Sequence, residues 1–318
     1  MLRSLSVVAL VVSCLTAAQA QQYPDHPVRV LVGYAAGSGP DIQARTVAHQ
    51  LSLSLGQSFI VENRTGANGT IAARAVTQAV PDGYTLLFSS SSITPTPYIY
   101  LNLGYDLHKD LTPLASIGDL DGILMLVDAK SPIKSVPEFI AYAKKNHIFY
   151  GSPGVGNELH LAAAHFEKTA GVTMEHVPYK GASEVMNGLL SGSVQMMFVT
   201  PPSVMGLVKD GRVRPIAFTG TKPFPPLPNV PLMKDVLPAF GTRGSWGMFF
   251  GPGKMPAPLV QKLNGAIREA LKDPSVSGVL QRDGYMPDDR DAPQTSAFFN
   301  AEVDRMANEV KEAGIKPN

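Results

Sequence analysis

Residues 28–41 read VRVLVGYAAGSGPD, a strand that runs straight into a bend of small residues and then into a helix start. VRVLVGY at 28–34 is an apolar, branched run of strand type. Gly37 to Pro40 is a turn. DIQARTVAHQLSLSLG at 41–56 then takes helical spacing, with Ile42, Val47, Leu51 and Leu55 near one face and Gly56 as the stop. Outward from this unit the alternation continues: SFIVENR as strand, GTIAARAVTQA as helix ended by Pro81-Asp82-Gly83, and YTLLFSS as strand. A β-α-β-α-β order predicts an α/β protein with a parallel sheet and right-handed crossovers.

A second series begins near residue 123. GILMLVD is a strand and SVPEFIAYAKK a helix with Ser135 as cap and Pro137 in its first turn. IFYGS, MEHVPY, SVQMMFV and RVRPIAFTG follow as strands, interleaved with helices NELHLAAAHFEKTAG and GASEVMNGLLSG. From Trp246 onward the pattern is mostly helical: 256–273, 275–284 and 293–313. Such a tail packs back on the first unit. The expected organisation is a discontinuous first lobe (21–122 plus 246–318) around an inserted second lobe (123–245), joined by two crossing strands, each lobe a mixed, mostly parallel sheet flanked by helices. Ligands of such folds sit beyond the carboxyl ends of the strands, in the cleft.

Composition narrows the function. Residues 1–20, MLRSLSVVALVVSCLTAAQA, have the basic start (Arg3), apolar run and Ala18-Gln19-Ala20 cleavage signal of a secretory leader, which predicts a periplasmic protein cut after Ala20. Lipidation at Cys14 is the alternative for this segment. Cys14 is the sole cysteine, so the cleaved chain has no disulfide, thiolate metal site or cysteine nucleophile. Losing Arg3 takes the net charge from +1 to neutral, which gives no basic surplus for nucleic acid. No later segment reaches 18 consecutive apolar residues, so the mature chain is expected to be soluble.

The candidate chemistry lies where strands meet helices. In Tyr34-Ala35-Ala36-Gly37-Ser38-Gly39-Pro40-Asp41, small residues let backbone amides approach a ligand, the helix start adds partial positive charge, and Asp41 stands where a cap would bond the first-turn amides. An ordinary glycine-rich turn is the competing reading. Ser152-Pro153-Gly154-Val155-Gly156-Asn157 repeats the arrangement in the second series, with Asn157 as cap, ligand donor or both, and His160 one turn in, more readily a packing residue than a ligand contact. Ser89 and Ser90 open a hydroxyl run that either donates to a carboxylate or is a solvated loop. Tyr179 offers a ring wall; Lys180 beside it reads as a counter-ion or a surface lysine. Arg243 could clamp a second carboxylate through its two-donor fork, while Trp246 reads as core or hinge packing. The chain has no GxSxG, HExxH, P-loop or GxGxxG motif. Of its seven histidines only His160 and His165 are close, at a five-residue spacing that shares a helix face poorly, so neither a metal nor a cofactor is expected.

At these residues the chain resembles the substrate-binding receptors of tripartite tricarboxylate transporters, the Bug family. PVRVLVGYAAGSGPDIQAR, PDGYTLLF, YGSPGVGNELHLAA, VPYKGASEVMNGLLSG and SWGMFFGPGKMPAPLVQKLN resemble its blocks in order, over nearly the whole chain after the leader. The resemblance implies a periplasmic-binding-protein-like, two-lobed Venus flytrap without catalysis. Its ligand is a small organic acid, and its partners are membrane permease subunits that receive that ligand from the monomeric receptor. It implies that amides and hydroxyls of Tyr34 to Ser38 and Ser152 to Asn157, with Ser89 and Ser90 beside them, hold a ligand carboxylate. Three departures stand out: Gly33 for a proline, Ala36-Gly37-Ser38-Gly39 for a double glycine, and Gln195 with Thr200 where the family has acids. Missing acids disfavour a ligand ammonium and leave a di- or tricarboxylate or an aromatic acid. A sensory receptor for a two-component system and an enzyme using Ser152 or His160 in the same cleft are the rival readings.

Overall fold

The computed structural model describes residues 23–241 and 244–317. The expected leader, with Cys14 and Ala20, and the candidate Arg243 lie outside the described residues. Strands β1 (Val28–Val32), β2 (Phe59–Asn63) and β3 (Thr85–Ser90) alternate with helices α1 (Gly39–Leu55) and α2 (Thr70–Thr77). β1 pairs in parallel with both β2 and β3, as a β-α-β-α-β unit requires. Two strands, β4 (Leu111–Leu120) and β5 (Leu124–Asp128), then lie on either side of a three-residue crossing. Next come α3 (Val136–Ala143), β6 (Phe149–Ser152), α4 (Glu158–Ala170), β7 (Glu175–Pro178), α5 (Ala182–Leu190), β8 (Met196–Val199) and β9 (Val213–Phe218). The chain returns through β10 (Ser245–Pro252) and ends with α6 (Ala257–Lys272), α7 (Pro274–Arg282), the two-residue β11 (Tyr285–Met286) and α8 (Ala292–Glu312).

Two mixed sheets result, in orders β11-β4-β10-β3-β1-β2 and β7-β6-β8-β5-β9. Each is covered on both faces, which is why its central strands, such as β1, β3, β8 and β10, are largely apolar and buried, whereas the edge strands β2 and β7 are not. In the first sheet, Val28, Val30 and Val32 pack under Val47, Leu51, Leu263 and Ile267. Leu31 and Leu87 face the other way, toward Ala72, Val76, Phe299 and Val303. In the second, Met125, Tyr150 and Phe198 meet Phe139 and Phe166 on one side, while Leu124 and Met197 meet Val185 and Leu189 on the other. β4 and β10 were not legible as strands in the sequence, although β10 is buried at all eight positions. The periodicity of α1 also differs from expectation: Ile42 is exposed, and Asp41 and Gln43 are buried with Val47 and Leu51.

The crossing between lobes is tied at Asp121, whose carboxylate accepts from the Thr221 amide and hydroxyl, both at 2.7 Å. The Thr219 hydroxyl accepts from the Ile123 amide at 2.9 Å. Trp246 is buried in the first lobe, with Phe298 and Phe299 edge-on to it and its ring N–H donating to Glu302. A small apolar seam of Ile99, Leu161, Met306 and Val310 joins α8 to α4 of the second lobe. Among the described residues no helix is long and apolar enough to cross a membrane.

Candidate functional site

The first bend starts where β1 runs out. A side chain at Gly33 would press into the backbone of Gly69, so the close approach of the two backbone segments here requires glycine. Tyr34 turns its hydroxyl to the carboxyl end of β3, 2.9 Å from Ser90 Oγ and 3.3 Å from Ser89 Oγ, and burial pushes its pKa up. Asp41 does not cap α1, contrary to the sequence-based expectation. The N-cap is Ser38, which makes no side-chain cap bond. Asp41 lies inside the helix and reaches backward: its carboxylate accepts from the Gly37 amide at 2.8 Å, from Asn63 Nδ2 at 2.7 Å and from Arg45 Nε at 3.1 Å. Burial opposes its charge, but Arg45 and these donors hold its pKa below the usual carboxylate range. Asp41 therefore shapes the bend and has no oxygen left for a ligand. The Gly37 amide is spent on Asp41 and the Ser38 amide on the Ala35 carbonyl. Among the described residues this leaves the amides of Ala35 and Ala36 uncommitted, on an exposed stretch.

The second bend is built from neutral groups. Ser152, fully buried at the end of β6, donates to the Gly154 carbonyl at 2.9 Å and lies 2.7 Å from His176 Nε2. A hydroxyl has one proton, so the His176 contact is completed by its own Nε2–H. His160 Nδ1 accepts from the Gly156 amide at 2.8 Å, and the His160 and His176 rings stack at 3.7 Å. Burial pulls His160 down to about 3, with His176 adding to the effect, and pulls His176 down to about 4. Both rings are neutral at neutral pH. His160 thus supports the bend from behind, in keeping with a packing role. His165 is turned elsewhere, to the Phe240 carbonyl. No group of three or more His, Cys, Asp and Glu suited to a metal occurs among the described residues. Asn157 does two things at once: its side-chain oxygen caps α4 through the Leu159 amide, and its Nδ2 donates to Ser92 Oγ of the first lobe at 3.0 Å.

Among the described residues no hydrogen bond joins the two bends. The first bend meets Thr200 and Ser203, whose hydroxyls are 3.9 and 3.6 Å from where a Gly39 Cβ would stand. The second meets Ser92, Ile99 and Asn68, which donates to the Val155 carbonyl at 2.9 Å. At the start of α1 two buried polar atoms have no partner among the described residues, the Ser38 hydroxyl and the Gln43 carboxamide oxygen. Gln43 stands beside the buried Tyr285 hydroxyl, and Tyr34 and Tyr285 both feel the charge of Glu158. Glu158, the first residue of α4, reaches across to Ser91 and to Ser245 Oγ (3.0 Å), and burial pushes it up to about 7.

Sequence reasoning passed over Gln43, Asn68, Ser203, Tyr285 and Glu158. Only Gln43 carried a signal, a polar residue four before Val47 on the buried side of α1. Two readings need correction. The Tyr179 ring packs over Gly151 and against Gly188 in the second-lobe core, while its amide donates to the Ser152 carbonyl at 2.9 Å. Gln195 bonds the Phe149 amide and the Gly192 carbonyl at the entry of β8, the far end from Thr200, so its identity says nothing about a ligand ammonium.

Uncharged hydroxyls and amides from two α/β lobes, gathered at the carboxyl ends of β3, β6 and β8, define a two-lobed solute-binding protein of the Venus flytrap type. The chain belongs to the tripartite tricarboxylate transporter family receptors, whose family model matches residues 43–315. It is 29% identical to the protein BugT of Bordetella pertussis over 99% of each chain. Among solved structures it is similar to Rpa4515 of R. palustris with adipate, at 31% identity and a TM-score of 0.88 over 93% of this chain and 100% of that one. MatC of Rhodopseudomonas palustris with bound malate gives 28% identity and a TM-score of 0.83 over 91% and 100%. It is thus a Bug-family receptor.

Proposed function

We propose that this receptor captures a small organic dicarboxylate between its lobes in the periplasm and, as a monomer, hands it unchanged to permease subunits of a tripartite tricarboxylate-type transporter. In this reading 21–122 with 246–318 form one lobe and 123–245 the other. The observation that carries it is the buried Ser38 hydroxyl at the α1 start, without a partner among the described residues, with Thr200 and Ser203 of the other lobe beside that helix start. Buried polar atoms in a folded protein are almost always paired, so an unpaired hydroxyl donor here suits a solute that accepts hydrogen bonds. A carboxylate there accepts from hydroxyls such as those of Ser38, Thr200 and Ser203, not from the Gln43 oxygen, and each charge-assisted bond is worth about 1.5–3 kcal/mol, which offsets its desolvation. The α1 helix start adds a favourable field. The adipate and malate held by two relatives support the same class. The Ser152–His176 pair is no nucleophile in this reading, because Ser152 is fully buried and already donates to Gly154.

The test is a thermal-shift screen of adipate, malate, citrate and benzoate, with recovery of the bound acid. The expected result is a rise in melting temperature with a dicarboxylate, growing with its concentration, and an acid released chemically intact. No shift with any carboxylate, or a converted product, overturns the reading.

A further inference from the structure

Glu158 does something that neither bend explains. Its carboxyl group belongs to α4 of the second lobe, yet its partners are tied to the first sheet: Ser91, in the turn after β3, and Ser245, the last residue of the crossing, which opens β10 of that sheet. Those two hydroxyls also touch each other, at 2.8 Å between oxygens. The three groups close a ring of three contacts, and each contact needs one proton. Ser91 and Ser245 supply two. Ser92, which also bonds Glu158 and accepts from Asn157, does not lie on the Ser91–Ser245 edge. If Glu158 is ionised, both ring hydroxyls donate to it and the Ser91–Ser245 edge is left with two facing lone pairs.

We propose that Glu158 is a protonated latch between the lobes: closure completes the Glu158–Ser91–Ser245 ring only when the carboxyl group carries a proton, so closing takes one up. The latch belongs to the lobes and does not depend on which solute they hold.

The charged and titratable groups facing Glu158 come from three sides. α8 presents Glu302, Arg305 and Glu309, with the Arg305 guanidinium bonded to both acids. The first lobe presents the hydroxyls of Tyr34 and Tyr285. The positive N-terminus of α4 and the serine hydroxyls favour the ionised form, whereas burial and Glu302 oppose it, and burial wins. The sign follows. In an open form the carboxyl group returns to water and its ordinary value of 4.5; in the closed form it is raised to about 7. The contribution to closure is complete below 4.5 and is lost as pH rises through 7. Between those limits the closed-to-open ratio falls by up to about tenfold per pH unit.

The experiment is small-angle scattering of the ligand-free protein at pH 5.5 and 8.5, with fluorescence of its single tryptophan, Trp246, next to Ser245, as second readout. The wild type is expected to expand and to shift its emission between the two values, with the change falling between pH 4.5 and 7 and complete above about 7. Glu158→Gln keeps one donor and one acceptor in the ring and is expected to stay compact at both. Ser245→Ala keeps the acid but breaks the ring, and is expected to be expanded already at pH 5.5. A wild type equally compact at both values overturns the latch, as does a Glu158→Gln variant that expands like wild type. Because no solute is added, this result stands or falls separately from the carboxylate screen.

Discussion

The two glycine-bearing bends look alike in sequence and are held by opposite means. The first is clamped by an ion, Asp41, bonded to the Gly37 amide, Asn63 and Arg45. The second is clamped by two stacked neutral imidazoles, with His176 on Ser152 and His160 on the Gly156 amide. Their surroundings differ too. Gly37 and Gly156 share a positive φ, 78° and 70°, but nothing lies near Gly37 where a side chain would project, whereas Ile99 of the first lobe fills that space at Gly156. The first bend is therefore an exposed loop that its own lobe shapes, and the second is a surface fitted against the other lobe. The second bend uses most of its amides to hold its own form, and the first uses those of Gly37 and Ser38.

The largest effect is expected at Gly156. Gly156→Ala adds a methyl group into buried Ile99 at a backbone angle that L residues avoid, whereas Gly37→Ala meets only the strain, about 1–2 kcal/mol. The second lobe can keep its fold by leaving the first. Gly156→Ala should then scatter as an expanded particle at pH 5.5 and lose the thermal shift with adipate or malate, while Gly37→Ala stays compact and keeps most of it. Equal behaviour of the two variants would remove the distinction between the bends.

Next is the ionic clamp. Asp41→Ala leaves the Gly37 amide, Asn63 and Arg45 without their shared acceptor, and hydrogen bonds to a charged group are worth about 1.5–3 kcal/mol. A loss of about 2–3 kcal/mol in urea unfolding at pH 7 is expected. Because the Asp41 pKa is depressed in the folded protein, its contribution is present above the ordinary value of 3.8 and fades as pH falls below it. Wild type and variant should therefore converge in strong acid. A difference that is constant with pH would mean that packing, not charge, holds the first bend.

How much of this was legible beforehand follows from where each residue's partners lie. β1 with its bend, and the Asn157 cap with the Gly171 stop of α4, are local and could be read from neighbours in the chain. β10 could not, because a strand buried on both faces has no period to distinguish it from a helix. β4 carries Pro113 and Gly118 inside its ten residues and reads as loop. Gln195 misled because the sequence shows that a polar residue adjoins a strand but not which end faces the cleft; it stands five residues, roughly 16 Å, from Thr200. Gln43 and Glu158 acquire their character only from elements distant in the chain: β11 for one, Ser91 and Ser245 for the other. Their burial is a property of the assembled lobes.

The smallest effect, and the one that bears most directly on the contrast, is at the imidazole pair. His176→Phe keeps a flat ring against His160 and Tyr150 but gives up the bond to Ser152, which costs about 1 kcal/mol at pH 7.5. Acid should reverse the ranking. Both histidines are depressed from 6.5, so their neutral forms contribute stability above that value, and this is lost as pH falls toward 4 and the unfolded chain takes up their protons. His176→Phe removes one of those two protons and also the neighbouring charge that pulls His160 down further. Its unfolding free energy should fall less steeply than that of wild type between pH 6.5 and 4.5, and the two curves should approach or cross. Glu158 acts in the opposite direction over part of this range, but it is present in both proteins and cancels in the comparison. Parallel curves would show that protonation of the stacked rings does not reach the second bend, and the claim that its form depends on neutral imidazoles would fail.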